Sequence, residues 1–164
     1  MRETEPFIAA AVQAAPVFLD AQASARKAVD LIDEAAGNGA SLIAFPEVFI
    51  PGYPYWNWIL NPIDGSEWFH RLHDASVSAT GPEVRLVAEA AARHGVHVVL
   101  GINERSSIGA GTIFNTVLTI DDQGRLIGRH RKLVPTWAEK LTWTGGDGSS
   151  LCLLYTSPSP RDRG

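Results

Sequence analysis

Cysteine is nearly absent from this 164-residue chain, which contains only Cys152. A single cysteine excludes an intramolecular disulfide framework and fits a reducing compartment, so the cytoplasm is the expected location. The chain also has no cluster of lysine or arginine, and its formal net charge is -4. These features argue against a nucleic-acid or anionic-membrane surface as the main partner. The expected ligand is a small molecule or another protein.

Long apolar runs are lacking as well. No segment is long and apolar enough to span a bilayer, so the sequence does not predict an integral membrane protein. The apolar stretch 7–19 follows Glu3 and Glu5 and is interrupted by Gln13 and Pro16, which argues against a secretory signal peptide. The composition, with 45% apolar and 20% charged residues, is typical of one globular domain with a sizeable core.

Apolar periodicity in the first part of the chain predicts a strand, a helix and a strand. Residues 7–15 and 41–45 read as short buried strands. Between them, apolar residues recur at helical spacing from the N-cap Asp20 to Gly37 and Gly39, which supply the C-terminal stop. Such an arrangement indicates a parallel crossover unit, and therefore an α/β fold.

The second part of the chain again alternates helix and strand, after a long aromatic loop that lies between Glu47 and Pro82. Pro82 is placed at a first helical turn, and the helical pattern ends at Gly95. Residues 96–102 then form a predicted buried strand. Residues 113–120 and 125–131 are two extended runs separated by a turn sequence, which predicts a β-hairpin.

The last residues differ in character from the rest. The change begins after Gly148, and past Tyr155 the chain has no helical or strand periodicity, so it reads as a disordered tail. This stretch also resembles the translated adapter sequence that ends many reading frames from assembled environmental DNA. We therefore divide the chain into a domain at 1–150 and a non-native tail at 151–164.

Glu47 is the strongest candidate for chemistry. It follows a buried-type strand and enters a turn stiffened by Pro46, Pro51 and Pro54 and rich in aromatic residues. A carboxylate becomes an effective general base near neutral pH when rigid, apolar surroundings desolvate it, and the sequence predicts such surroundings here. The alternative is that Glu47 caps a turn or pairs with a surface cation.

Lys132 is the second candidate, because it ends the second hairpin strand just before a loop that contains Pro135. An ammonium group at a strand end can stabilise a developing oxyanion. The alternative is an exposed edge-strand lysine that discourages aggregation.

Together, the two segments resemble the signatures of the nitrilase, or carbon-nitrogen hydrolase, superfamily. The first signature is carried by Gly39, Leu42-Ile43, Phe45, Glu47, Ile50 and Gly52-Tyr53-Pro54, and the second by the Lys132 segment. Within the superfamily, the runs 49–56, 131–143 and 146–149 resemble true nitrilases, and the resemblance covers about residues 7–149. It implies an α-β-β-α sandwich of which this chain holds the N-terminal half, so that residues 1–150 form a partial carbon-nitrogen hydrolase domain.

The resemblance also implies a mechanism and assigns residues to it. Glu47 would be the general base that takes the proton of a cysteine thiol, and Lys132 would stabilise the charge that develops during attack. Glu139 aligns with a second acidic residue that supports the site, although it also reads as an exposed carboxylate beside Lys140. Tyr53 and Trp56 are the expected substrate-binding residues, although their aromatic cluster equally suits a subunit interface or the core.

The implied activity is hydrolysis of a nitrile to a carboxylic acid and ammonia, with neither a metal nor an organic cofactor. The implied partners are a small-molecule nitrile and, for a full-length protein, further copies of itself. Amide hydrolysis by the same residues remains the rival reading. A non-catalytic fragment that only self-associates is a third.

The nucleophilic cysteine of the family is expected a few tens of residues after Lys132, in a glycine-rich turn. Cys152 comes only 20 positions after Lys132, and its leucine neighbours do not resemble that turn. We therefore expect that Cys152 is not the nucleophile and that the chain as given is inactive and prone to aggregate.

Overall fold

The fold is built on one five-stranded sheet, seen in a computed structural model that describes residues 6–148. Strands β1 (Ala9–Ala11), β2 (Leu42–Ala44), β3 (His97–Arg105), β4 (Ile113–Ile120) and β5 (Leu126–Arg131) lie side by side in chain order. The first three are parallel, and β3, β4 and β5 are antiparallel. The predicted crossover unit and hairpin are thus confirmed.

Helices α1 (Ala21–Gly37) and α3 (Pro82–His94) pack together on one face of this sheet. α1 begins where the sequence predicts, because the Asp20 carboxylate accepts a hydrogen bond of 2.8 Å from the Ala23 backbone N–H. α3 begins with Pro82 and ends at Gly95, whose left-handed φ of 63° closes the helix. The core between helices and sheet contains Ala25, Ala28, Ile32, Ile43, Val84, Val87, Val98, Leu100, Ile102, Leu118 and Ile120.

One layer of helices on one sheet is the architecture expected for half of an α-β-β-α sandwich. Strand residues alternate between the two faces of a sheet. Leu118 and Ile120 of β4 belong to the core beside the helices, so Asn115 and Val117 lie on the opposite face. The predicted fold class is therefore confirmed.

The first predicted strand is shorter than expected. Residues 7–15 were predicted as extended, but only Ala9–Ala11 pair with β2, and Val12 adds one further hydrogen bond to Ala44. The reason lies in β2, which has three residues and ends just before Phe45-Pro46. Residues 13–15 therefore have no neighbouring strand to extend.

The long aromatic loop contains two elements that the sequence did not predict. A short 3₁₀ helix spans Tyr55–Trp58, and α2 spans Ser66–Ala75. Leu72 is the only fully buried side chain of α2. Trp68, Phe69 and Leu72 nevertheless follow the i, i+1, i+4 spacing of one helix face, so the sequence carried a helical signal that was missed.

Candidate active site

Glu47 lies in the turn that follows β2, and this turn is anchored against β3. Ile50 donates its backbone N–H to Gly101 O at 3.1 Å, and Asn103 donates to Ile50 O at 2.7 Å. Val48 is fully buried and has a φ of 43°, a strained value for a β-branched residue. Such strain persists where surrounding structure over-determines the backbone, and it is typical of functional turns.

Lys132 directly follows the last residue of β5, and its backbone is held on both sides. Its N–H donates to Asn115 O at 2.8 Å, and its carbonyl accepts from Gly146 N at 2.9 Å. The Lys132 Nζ donates to Glu47 Oε1 at 2.9 Å and to Glu139 Oε2 at 2.8 Å. The sheet therefore brings the two leading sequence candidates into direct contact, with the cation between two carboxylates.

Glu139 is the buried member of this group, with a side chain only 6% exposed. It stands in a 3₁₀ helix, Trp137–Leu141, and forms a capping box with Thr136, whose N–H donates to Glu139 Oε2 at 2.6 Å. The other oxygen, Oε1, accepts from Tyr53 Oη at 2.8 Å. The alternative reading of Glu139 as an exposed surface carboxylate is wrong.

Charges in this group shift the pKa values of three side chains. Partial burial opposes the charge of Lys132, but its hydrogen bonds to Glu139 and Glu47 outweigh this and raise its pKa. Burial likewise opposes ionisation of Glu139, yet the contacts with Lys132, Thr136 and Tyr53 lower its pKa. Burial, together with the nearby Glu139, raises the pKa of Tyr53 to about 12. Lys132 is thus held cationic and Glu139 anionic.

The surroundings of Glu47 differ from the sequence-based expectation. Its aromatic neighbours along the chain were expected to desolvate it, but the side chain is 45% exposed. Val48, Phe49 and Ile50, which follow Glu47 in the chain, are buried in the core, but they leave the carboxylate itself open to solvent. Sequence proximity to aromatic residues therefore did not translate into burial of the carboxylate.

An apolar cavity of about 580 Å³ opens beside Glu47. Tyr53 and Trp56, the two predicted substrate-binding residues, both line it. Trp56 is buried and stacks on Trp68, with ring centroids 6.1 Å apart. The other lining residues are Ala14, Ala15, Pro16, Phe18, Pro46, Phe49, Gly52, Tyr55, Ile59, Leu60 and Trp68.

Two asparagines that sequence reasoning missed hold the site together. Asn115 Nδ2 donates to Glu47 Oε1 at 2.7 Å. Asn103, its direct cross-strand partner, donates to Gly52 O at 2.8 Å and accepts from Trp143 Nε1 at 2.7 Å. Both asparagines could have been noticed in the sequence, because Asn115 lies within a predicted strand and Asn103 directly follows one. A polar side chain that is buried in a sheet is normally hydrogen-bonded, so such a position is a candidate for a specific contact.

Among residues 6–148, no group of three or more His, Cys, Asp or Glu side chains is arranged to hold a metal ion. None of the helices in this range has the length and apolar character needed to cross a membrane. Cys152 and the predicted tail at 151–164 lie outside the described residues.

Comparison with known proteins supplies the family. The carbon-nitrogen hydrolase sequence profile matches residues 8–154. The chain belongs to the carbon-nitrogen hydrolase family. As a member of this family, it is 44% identical over 159 residues to the aliphatic nitrilase of Rhodococcus rhodochrous, covering 96% of this chain and 42% of that protein. It is 43% identical over 147 residues to a nitrilase of Bacillus sp. (strain OxB-1), covering 90% and 42%.

This carbon-nitrogen hydrolase chain therefore spans about two-fifths of the length of the curated relatives it matches. Among solved structures, Saccharomyces cerevisiae Nit3, a member of branch 10 of the nitrilase superfamily, matches with a TM-score of 0.66 and 22% identity. An amidase from Nesterenkonia sp. matches with a TM-score of 0.58 and 20% identity. Each match covers 85% of this chain and 48% of the solved chain. At these identities the likeness shows the fold alone.

Proposed function

We propose that the parent protein of this chain hydrolyses a nitrile to a carboxylic acid and ammonia, using a cysteine that lies beyond the described residues. In the first step a thiol proton passes to Glu47 while sulfur bonds to the nitrile carbon. An electron pair of the triple bond moves to nitrogen, which takes up the proton to give a thioimidate. Glu47 acts here as general base and then as general acid.

Two molecules of water complete the reaction. Glu47 deprotonates the first water, which adds to the thioimidate carbon, and ammonia leaves to give an acyl thioester. The second water releases the carboxylic acid and returns the thiol. Lys132 stabilises the negative charge on nitrogen or oxygen in each addition, and Glu139 keeps that ammonium in place.

The observation that carries this proposal is the Lys132 ammonium between Glu47 and Glu139. An ammonium 2.9 Å from a partly solvated carboxylate lies where it can stabilise charge beside a proton acceptor. The cavity lined by Tyr53 and Trp56 meets the same carboxylate and offers apolar space for the substituent of a nitrile. The two relatives at 43–44% identity are named nitrilases, which favours nitriles as the substrate.

For the chain as given, we propose that it is inactive and that residues 151–164 are not native to the parent gene. Under this proposal Cys152 is not the nucleophile, and the parent supplies another cysteine. The family match extends to residue 154, slightly past the proposed boundary at 150. Reading the source DNA across codon 150 decides the point, because a continuous native frame would refute the non-native tail. If the purified 164-residue protein turned over a nitrile and Cys152→Ala abolished that turnover, the proposed inactivity and the exclusion of Cys152 as the nucleophile would both be refuted.

The test of the proposed function uses the complete parent protein, recovered by extending the reading frame. Ammonia and carboxylate are measured with aliphatic and aromatic nitriles and with the matching amides. We expect turnover of nitriles, and at least a 100-fold loss of kcat in Glu47→Gln and in Lys132→Met. The exposed residues Glu67 and Lys140 provide matched controls, because Glu67→Gln and Lys140→Met lie outside the site.

Each outcome of this assay has a definite meaning. Faster turnover of the matching amides would replace the proposal by an amidase that uses the same residues. Absence of turnover with both classes would leave the third alternative, a protein that only self-associates. Full activity in Lys132→Met would refute the role assigned to the cation.

Light scattering of the parent tests the further proposal that it is a homo-oligomer.

A further inference from the structure

Asn115 contacts both partners of the central ion pair through different groups. Its side-chain Nδ2 donates to Glu47 Oε1 at 2.7 Å, and its backbone carbonyl accepts from the Lys132 N–H at 2.8 Å. Asn115 is only 4% exposed, so its amide cannot exchange this partner for solvent. One buried residue thus sets the position of the general-base candidate and of the cation candidate.

The hydrogen bonds of Glu47 are unevenly divided between its two oxygens. Asn115 Nδ2 and Lys132 Nζ both donate to Oε1, at 2.7 and 2.9 Å. These are the side-chain donors that residues 6–148 supply to this carboxylate, and none of them is directed at Oε2. Two donors on one oxygen hold Oε1 in place and leave Oε2 without a side-chain donor from these residues.

The sheet explains why an asparagine at this position is rigid. Asn115 lies directly opposite Asn103 across the β3–β4 ladder, and the next pair along the β4–β5 ladder is Asn115 with Lys132. Asn103 is itself fully buried and bonded to Gly52 O and Trp143 Nε1. The Asn115 backbone is therefore held by strands on both sides, and its buried side chain has few alternative rotamers, so the amide stays aimed at Glu47.

We propose that Asn115 is a positioning residue that binds Oε1 of Glu47 together with Lys132 and so reserves Oε2 as the oxygen that accepts protons. This inference rests on the proposed function, because it assigns a proton-accepting atom within the same site. In the proton transfer the S–H bond of the nucleophilic thiol breaks, an O–H bond forms on Oε2, and the electron pair stays on sulfur. Oε1 keeps its two donors throughout, so the carboxyl group does not need to reorient between steps.

A purely structural role for Asn115 predicts different behaviour. If the residue only fills space in the sheet, an isosteric aspartate would preserve the site and alanine would weaken it. If the amide donor positions Glu47, aspartate must fail as well, because it offers an acceptor where a donor is needed. Replacing one donor by a second carboxylate also places like charges beside each other.

The experiment compares Asn115→Ala and Asn115→Asp with Val117→Ala in the complete parent protein. Val117 lies two residues along β4 on the same face and is 37% exposed, so its variant controls for disturbance of the strand. We expect kcat to fall about 100-fold in both Asn115 variants with KM changed by less than about threefold, as a misplaced catalytic group predicts. Val117→Ala should keep wild-type kcat.

A second measurement is independent of the substrate. Alkylation of the nucleophilic thiol by iodoacetamide reports thiolate formation, and we expect its rate to fall at least about tenfold in both Asn115 variants. A third is structural: in a crystal structure of Asn115→Ala in the complete parent protein, the Glu47 carboxylate should rotate and present both oxygens to Lys132 Nζ.

The outcomes separate this inference from the proposed function. If the parent hydrolyses neither nitriles nor amides, the proposed function fails, and the orientation of Glu47 in Asn115→Ala still decides the role of Asn115. An unchanged carboxylate in that variant overturns the inference whatever the activity. Wild-type kcat in Asn115→Asp, or an effect on KM alone, overturns it as well.

Discussion

Tyr53 and Glu139 lie 86 positions apart in the chain and share a hydrogen bond of 2.8 Å, in which the phenol donates to Oε1 of the carboxylate. The same phenol oxygen accepts from Trp58 Nε1 at 3.2 Å. Through this bond the turn that carries Glu47 is tied to the 3₁₀ helix that carries Glu139. The two acidic residues that contact Lys132 are therefore part of one connected network.

This relationship predicts an unusual titration of Tyr53. Burial and the adjacent Glu139 raise its pKa to about 12, above the ordinary tyrosine value of about 10. We expect one phenol to ionise near pH 12 in an ultraviolet titration of the folded chain, and Tyr53→Phe to remove that step. The exposed Tyr55 is the control, because Tyr55→Phe should leave the late step in place.

The sign of the linked stability change follows from the direction of this shift. A raised pKa means that the folded state favours the neutral phenol. The stabilisation is therefore complete below about pH 10 and is lost as the pH rises through about 12. An ordinary titration of all phenols, with no late step, would contradict the hydrogen-bonded geometry of Tyr53.

Glu139 is predicted to contribute to stability as well as to the site. The Glu139 side chain is only 6% exposed, and Glu139→Ala removes the acceptor of the Tyr53 phenol and of the Thr136 N–H and one of the two acceptors of Lys132. We expect the free energy of unfolding in urea to fall by about 2 to 3 kcal/mol. Lys140→Ala, at the neighbouring exposed position, should change it by less than about 0.5 kcal/mol. Equal effects of the two variants would mean that the network around Glu139 is not formed.

The pH dependence of stability provides a test of the charge on Glu139. Its pKa is lowered in the folded state, so its stabilisation is present above the ordinary glutamate pKa of about 4.3 and is lost as the pH falls through the lowered value. Glu139→Gln cannot ionise and should flatten this part of the stability curve. The measurement is the free energy of unfolding between about pH 3 and pH 7. A curve parallel to wild type would show that Glu139 is not the responsible group.

Local signals explain which parts of the fold could be predicted from sequence. The cap at Asp20, the first-turn Pro82 and the left-handed Gly95 act within a few residues, and α1 and α3 lie where these signals placed them. The length of β1 depends instead on the length of its neighbour β2. Helix α2 was missed although Trp68, Phe69 and Leu72 lie on one helix face, because no side-chain cap marks its start at Gly65.

The same distinction applies to the candidate site. Glu47 and Lys132 could be selected because each stands at the end of a predicted strand and within a recognisable motif. The hydrogen bond from Asn115 to Glu47 joins residues 68 positions apart, and no local pattern encodes it. The 45% exposure of the Glu47 side chain was not predicted either, because burial depends on contacts between distant parts of the chain and not on neighbours in sequence.

A buried ion pair on the helix side of the sheet gives a further prediction. Glu104 is 5% exposed and accepts from Arg131 Nε and Nη2 at 3.0 and 2.6 Å, while the guanidinium lies over the Phe114 ring. Glu104→Ala would leave Arg131 without its partner, and we expect a loss of about 3 kcal/mol in the free energy of unfolding. Arg129, which is 49% exposed and 3.5 Å from Glu104, is the control. Arg129→Ala should lower the free energy of unfolding by less than about 1 kcal/mol. If Arg129→Ala destabilised the protein more than Glu104→Ala, Arg131 would not be the main partner of Glu104.

Gly101 is predicted to be required for the position of Glu47. A Cβ at this position of β3 would meet the backbone of Pro46 and Val48 on either side of Glu47. Gly101→Ala must therefore push the turn away from the strand, and we expect a loss of about 1 to 3 kcal/mol in the free energy of unfolding. Because Glu47 moves with the turn, the 2.9 Å contact with Lys132 should lengthen in a crystal structure of the variant.

A matched glycine separates this steric effect from a general effect of removing glycine. Gly37 ends α1, and a Cβ there would have no neighbour within 4 Å. Gly37→Ala should be neutral or stabilise the chain by up to about 1 kcal/mol, because alanine has less conformational entropy to lose on folding. Urea unfolding of both variants decides the matter. If Gly101→Ala were as stable as Gly37→Ala, with Glu47 still bound to Lys132, close contact with β3 would not be what holds the turn in place.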